Sequence, residues 1–223
     1  VKDGQLDAYS VGDEKEVEIG GKSYTVRVAN NTTPAECSGN DFSQTACGFV
    51  VEFVDIIENR TTGLTNENSN TYANSEIRTY LNNDFYNKLP SDLRKNIIKT
   101  NLISFTLLMQ QQIPNGIVYS NTEDYVYLIG EKEITGKNFL NSAIDSKTRQ
   151  LDYYLSQNYN SSTNMTCAIK KYKNSDAIWW LRDRVVYRTV YSYDLSIINT
   201  TGNISPMTSL NNSYGVAPAF RIG

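Results

Sequence analysis

Residues Trp179–Gly223 read "WWLRDRVVYRTVYSYDLSIINTTGNISPMTSLNNSYGVAPAFRIG". The two ends of this stretch follow a pattern that the middle lacks. Trp179, Trp180 and Leu181 are too large and apolar to stand together in water, so "AIWWLR" is expected as a buried strand. "GVAPAFRI" places Val216, Phe220 and Ile222 at a two-residue period and is expected as a closing strand with those three on one face. Between the ends, Arg184, Val185, Tyr187, Arg188, Tyr191 and Tyr193 crowd together with no amphipathic period. Leu195, Ile198 and Ile204 flank the turn expected at Gly202 and are assigned inward. That leaves Arg184, Val185, Tyr187, Arg188, Val190, Tyr191, Tyr193, Asp194, Ser196 and Asn199 as the candidate ligand-binding surface. Tyr and Arg are the side chains most enriched at binding hot spots. Tyr adds rigid amphipathic contact area at low entropic cost. Taken singly, each of these residues also reads as a solvated strand position or a packed aromatic.

Working outward, "KEVEIGGKSYTVRVANN" alternates apolar and polar residues on both sides of Gly20-Gly21, a two-residue hairpin signal. Gly48–Ile57, "GFVVEFVDII", is an apolar run of strand length. Ile77, Tyr80, Leu81 and Phe85 then fall at helical spacing, with Ser75 as N-cap. Pro90 ends that helix, and Ser91 is expected to cap a second one carrying Leu93, Ile97 and Ile98. "YVYLIGEKEI" reads as a strand, and "SKTRQLDYYLSQNY" as a short helix. The order is a hairpin, two or three helices, and then a strand-rich, loop-rich C-terminal region. No internal repeat or linker divides it, so a single domain over 1–223 of α+β class is expected.

Composition narrows the function classes. The net charge of −3 and the 20% charged residues give no electrostatic footprint for nucleic acid. No run approaches the length of an apolar membrane span. Histidine is absent, which removes His-based nucleophile activation, His metal ligation and a His pH switch. Of the three cysteines, Cys37 and Cys47 bracket the polar loop "CSGNDFSQTAC" and are expected to form a disulfide. Cys167 is left over. A bridge implies an oxidising compartment, hence a secreted or cell-surface location, with any signal or anchor outside these residues.

"SEIRTYLNNDFYNKLPSDLRKNIIKT", "DYVYLIGEKEI" and "WWLR…GVAPAFRI" together resemble a family of secreted gut-bacterial domains. That family is similar to the C-type-lectin-like fold of the formylglycine-generating-enzyme type, and some of its members are variable proteins of diversity-generating retroelements. The resemblance implies a non-enzymatic, receptor- or adhesin-type domain whose tail is diversified to bind protein or glycan ligands on another cell or a phage. Such elements mutate adenines in Asn-type codons, which cannot then become Lys, Glu, Gln or Trp. From Asp183 to Tyr214 the chain contains none of the four, so 183–214 is the expected variable segment. Met207 does not fit that origin.

Enzyme readings fare less well. Formylglycine-generating oxidases depend on paired cysteines in the C-terminal part of the domain, whereas Cys37 and Cys47 lie near the N-terminus. A hydrolase needs two facing carboxylates. Asp55, Glu58, Glu76 and Asp152 are available, but no spacing singles out a pair. An invariant structural module is a further alternative. "TNENSN", Thr65–Asn70, carries oxygen ligands of the kind calcium takes, but it matches no defined calcium loop. No cofactor is therefore expected, with calcium the one secondary candidate.

Overall fold

The structure is a computed structural model that describes residues 8–64, 71–110, 113–137, 147–159, 164–187, 195–206 and 211–223. Strands β1 (Glu14–Ile19) and β2 (Lys22–Asn30) form the expected hairpin. Gly20 and Gly21 both take positive φ, 59° and 77°, a two-residue turn that other L-residues adopt only under strain. Strand β3 (Phe49–Phe53) is buried along its whole length and ends before Asp55, whose carboxylate accepts the backbone N–H of Lys171. A short strand β4 (Glu58–Arg60) follows.

Ser75 caps the first helix, its hydroxyl accepting from the Arg78 amide at 3.2 Å. Helix α1 (Glu76–Tyr80) runs through a wide turn, Leu81–Phe85, into α2 (Tyr86–Lys88). Ile77, Tyr80, Leu81 and Phe85 are all buried, as their spacing predicts. The second helix is shorter than expected. Helix α3 (Ser91–Arg94) is a single turn, its N-cap is Pro90 and not Ser91, and Ile97–Ile98 form strand β5. A lone turn fixes many dihedrals for little hydrogen bonding, and these two β-branched residues pair instead with the last strand.

A long hairpin comes next, β6 (Thr100–Gln110) and β7 (Ile113–Asp124). The sequence carries no clean signal for it. Leu102, Ile103, Ser104, Phe105, Thr106 and Leu107 are all buried, so both faces of β6 are covered and alternation disappears. The chain continues with β8 (Tyr127–Leu128), α4 (Glu131–Thr135), α5 (Asp152–Ser156), β9 (Lys170–Tyr172), β10 (Ser175–Ala177), β11 (Trp179–Tyr187), β12 (Leu195–Ile198), β13 (Ile204–Ser205), β14 (Tyr214–Val216) and β15 (Pro218–Ile222).

Two sheets result. The first is antiparallel, in the order β1-β2-β3-β15-β5, with β8 also on β15. The second runs β13-β12-β11-β14-β4, with β6 against the far half of β11 and β7 beyond it. Here β11 lies parallel to both β14 and β6. The expected closing strand is therefore two strands. Val216 belongs to the second sheet, Phe220 and Ile222 belong to the first, and buried Ala217 is the crossing point. One contiguous cluster of buried side chains, from Ile19 and Val26 to Trp179 and Phe220, fills the space between. The chain is mixed α+β with strands predominating.

Candidate functional site

The base of the C-terminal region is β11. Trp179, Trp180 and Leu181 are fully enclosed. Each indole N–H finds a carbonyl, Trp179 on Ala168 at 3.0 Å and Trp180 on Arg60 at 2.8 Å, so burial leaves neither donor unpaired. Pairing with β12 shifts register between Trp180 and Arg184. Within that shift, Arg182 and Asp183 turn into the interior.

Arg182 donates to the Leu128 carbonyl at 3.1 Å and forms a two-pronged ion pair with Glu133, at 2.5 Å for one prong. Glu133 also accepts from the Gly130 amide at 2.9 Å and from Thr148 at 2.9 Å. Burial alone would raise its pKa; the facing guanidinium, with the Gly130 amide and the Thr45 hydroxyl, holds it below the usual carboxylate range. Asp183 accepts from the backbone N–H of Phe105 at 3.1 Å and of Glu131 at 2.6 Å. One strand is thus clamped to β6, to the start of α4 and to β8.

A second buried network ties the first sheet to β9 and α5. Glu52 accepts from Arg27 at 2.7 Å, from Tyr154 at 2.9 Å and from Lys170 at 3.0 Å. Burial would raise the Glu52 pKa, but Lys170 and Arg27 hold it at about 2. Burial pulls Lys170 below the usual lysine value. It remains the cation of the pair, because its ammonium also donates to the carbonyls of Phe53 and Val54.

Several candidate surface residues lie in the interior, contrary to expectation. Arg184, Val185 and Ser196 are 0%, 1% and 0% exposed. Arg184 sits in a cross-sheet row with Thr106 and Leu195. Val185 packs with Phe105 and Leu107. The physical reason is the β6–β7 hairpin, which extends the second sheet alongside β11 and covers what would have been a free edge. Asn199 is half-buried and is occupied in its own turn, its side-chain oxygen accepting from Thr201 N, Thr201 Oγ1 and Asn203 N at 2.7–3.0 Å. Tyr187 ends β11 opposite Met109, near the tip of the hairpin. Arg188, Val190, Tyr191, Tyr193 and Asp194 lie outside the described residues. Leu195 and Ile198 are fully buried and Ile204 half-buried, as assigned. The expected variable segment 183–214 therefore includes interior positions at both ends of its first connection.

Cys37 and Cys47 form the expected disulfide, with Cα atoms 5.8 Å apart. Cys167 is a free thiol, half-buried. Of the acids weighed for hydrolysis, Asp55 holds the Lys171 amide, Glu58 pairs with Arg60, and Asp152 pairs with Arg149 and accepts from Thr32. Glu76 is exposed at the start of α1. Among the described residues no group of three or more His, Cys, Asp or Glu gathers at a metal-binding spacing, and "TNENSN" lies outside them. Among the same residues no helix is long and apolar enough to cross a membrane.

These features define an α+β chain in which two strand-rich layers are joined where the closing segment crosses between them at Ala217, and buried ion pairs clamp the base of the C-terminal region. The chain belongs to the family described as a domain of unknown function, DUF6273, whose family model matches residues 52–223. No curated protein and no solved structure matches it.

Proposed function

We propose that the chain is a non-enzymatic, C-type-lectin-like ligand-binding domain, secreted or displayed at the cell surface, whose tail is diversified to recognise a protein or glycan on another cell or a phage. The observation that carries this reading is the base at each end of 188–194. Trp179–Val185 and Leu195–Ile198 are buried, and Arg184 pairs with Leu195 across the two strands. A base so held tolerates replacement of residues that pack against nothing, since surface changes usually cost within about 0.5 kcal/mol. The Cys37–Cys47 bridge supports an oxidising location. With Arg184, Val185 and Ser196 interior and Asn199 engaged in its turn, binding rests on Tyr187, Arg188, Val190, Tyr191, Tyr193 and Asp194.

The test has two arms. A diversifying element predicts a near-copy of the tail's coding sequence beside a reverse-transcriptase gene, with adenine-specific differences in the codons for 187–194. It predicts none in the codons for Asp183–Val185 or Leu195–Ile198. Differences spread evenly over the buried codons would refute diversification. Separately, joint alanine replacement of Tyr187, Arg188, Tyr191 and Tyr193 should abolish binding on a glycan array or to intact bacterial cells while leaving the melting temperature within a few degrees. A collapse of the fold would place these side chains in the core and overturn the binding reading.

A further inference from the structure

Arg27, Arg60, Arg78, Arg149 and Arg182 each pair with a carboxylate, and Arg94 donates to the Asn87 side chain at 3.3 Å. Arg221 differs. It sits half-buried on β15, and among the described residues no acceptor or carboxylate reaches its guanidinium. An arginine fully in water needs no partner, but the Nε–H of Arg221 is shut off from solvent and has no acceptor. Register explains the isolation. Arg221 lies between Val50 of β3 and Ile98 of β5 in one cross-strand row, so both lateral neighbours are apolar. Glu52 shares its face one row along, opposite Ala219, but is already held by Arg27, Tyr154 and Lys170. With two cations on one carboxylate, that network adds positive charge beside Arg221. Burial pulls the Arg221 pKa below the ordinary arginine value, with Tyr127 opposing, whereas Glu52 and Glu133 hold up those of buried Arg27 and Arg182. A desolvated cation with no counter-ion is costly.

The guanidinium borders a gap at Gly48. A Cβ on Gly48 would stand 3.4 Å from Arg221 Nη2 and 3.8 Å from Thr33 Oγ1. Gly48 has φ +70°, a conformation that disfavours any side chain there, so the space between the two donors stays clear. Gly48 is partly exposed and Thr33 exposed, so the gap opens on water. The Thr33 hydroxyl is committed to no described residue. A rigid fork of N–H donors and a rotatable O–H donor therefore flank one solvent-accessible space. The planar guanidinium matches the oxygen edge of a carboxylate, sulfate or phosphate.

We propose that Arg221 and Thr33 bind an oxyanion, a carboxylate, sulfate or phosphate group, in the gap over Gly48. Such groups occur as free ions and as substituents of acidic sugars, and the chemistry recognised is the same in both. The site belongs to the first sheet, whereas Tyr187 ends β11 in the second, so it stands or falls separately from the proposed recognition tail.

The probes are sodium sulfate, phosphate, acetate and glucuronate at millimolar concentration, each against sodium chloride at matched ionic strength. At least one should give a saturable isotherm in titration calorimetry and raise the melting temperature by roughly 3–5 °C at ten times its Kd. Glucuronate binding about tenfold tighter than acetate identifies a sugar-borne anion; parity, or preference for the inorganic ions, identifies a free one. Arg221→Gln should abolish the response and leave the ligand-free melting temperature unchanged or higher, because the side chain it removes has no partner. Arg221→Lys keeps the charge but loses the fork, and Thr33→Ala changes an exposed position; each should weaken binding about tenfold. No saturable response to any of the four probes overturns the proposal. So does a response that survives in Arg221→Gln, which is then a general salt effect. Loss of the fold in Arg221→Gln overturns it as well, because Arg221 is then a structural residue.

Discussion

Replacing Arg182 by Met removes the cation from a carboxylate that has no access to water. Arg182 and Glu133 are 1% and 0% exposed. Breaking a buried pair by deleting one partner costs about 3–5 kcal/mol, because the remaining charge is left uncompensated. For a chain of this length that lowers the melting temperature by roughly 10 °C. The pH dependence provides a sharper test. In the parent chain Glu133 is held below its ordinary value, so its contribution is present above the unfolded pKa and is lost as pH falls through the depressed folded value. Without Arg182, burial dominates and the folded pKa rises above the unfolded one. The cost of Arg182→Met is then greatest near neutrality and fades as pH falls through the unfolded glutamate range near about 4.3. Urea denaturation followed by the fluorescence of enclosed Trp179 and Trp180 reports it at pH 7 and pH 4. Adding Glu133→Gln should recover part of the loss. A deficit under about 1 kcal/mol at pH 7, or an equal deficit at both pH values, would refute the account of this pair as the clamp beneath the C-terminal region.

Three further outcomes follow from named geometry. Cys37→Ser/Cys47→Ser should lower stability by about 3 kcal/mol on the chain-entropy model for a loop of this size, measured by calorimetry. Alkylation of the native, non-reduced chain should label Cys167 alone, and labelling of Cys37 or Cys47 would disprove the bridge. Gly202→Ala should destabilise by more than about 1 kcal/mol, since Gly202 has φ +83° and an added Cβ would fall 2.0 Å from the Met165 carbonyl oxygen. Thermal melting reads this directly, and an unchanged midpoint would mean that the Asn199–Asn203 turn is formed differently.

By itself the sequence determined whatever depends on near neighbours. Gly20-Gly21 specifies its hairpin because positive φ is a property of those two residues. Ser75 specifies its cap because the amide it satisfies is three residues away. Cys37 and Cys47 close a loop short enough to read directly, and Trp179–Leu181 cannot remain in water in any fold. Only the tertiary structure decided which face of β11 is wet. Period-two alternation carries information when one side of a strand meets solvent. Along Leu102–Leu107 of β6 and along Arg182–Val185 both sides are covered, so polar and apolar residues are buried alike and the pattern is lost. The partners that make burial of charge tolerable are remote, Glu133 lying 49 positions from Arg182 and Lys170 lying 118 from Glu52. No local window contains both members of either pair. Arg184 therefore reads as surface from its chemistry and sits in the interior because of strands that pack beside it. Likewise "GVAPAFRI" reads as one strand, and its split at Ala217 appears only once two separate sheets compete for its backbone hydrogen bonds.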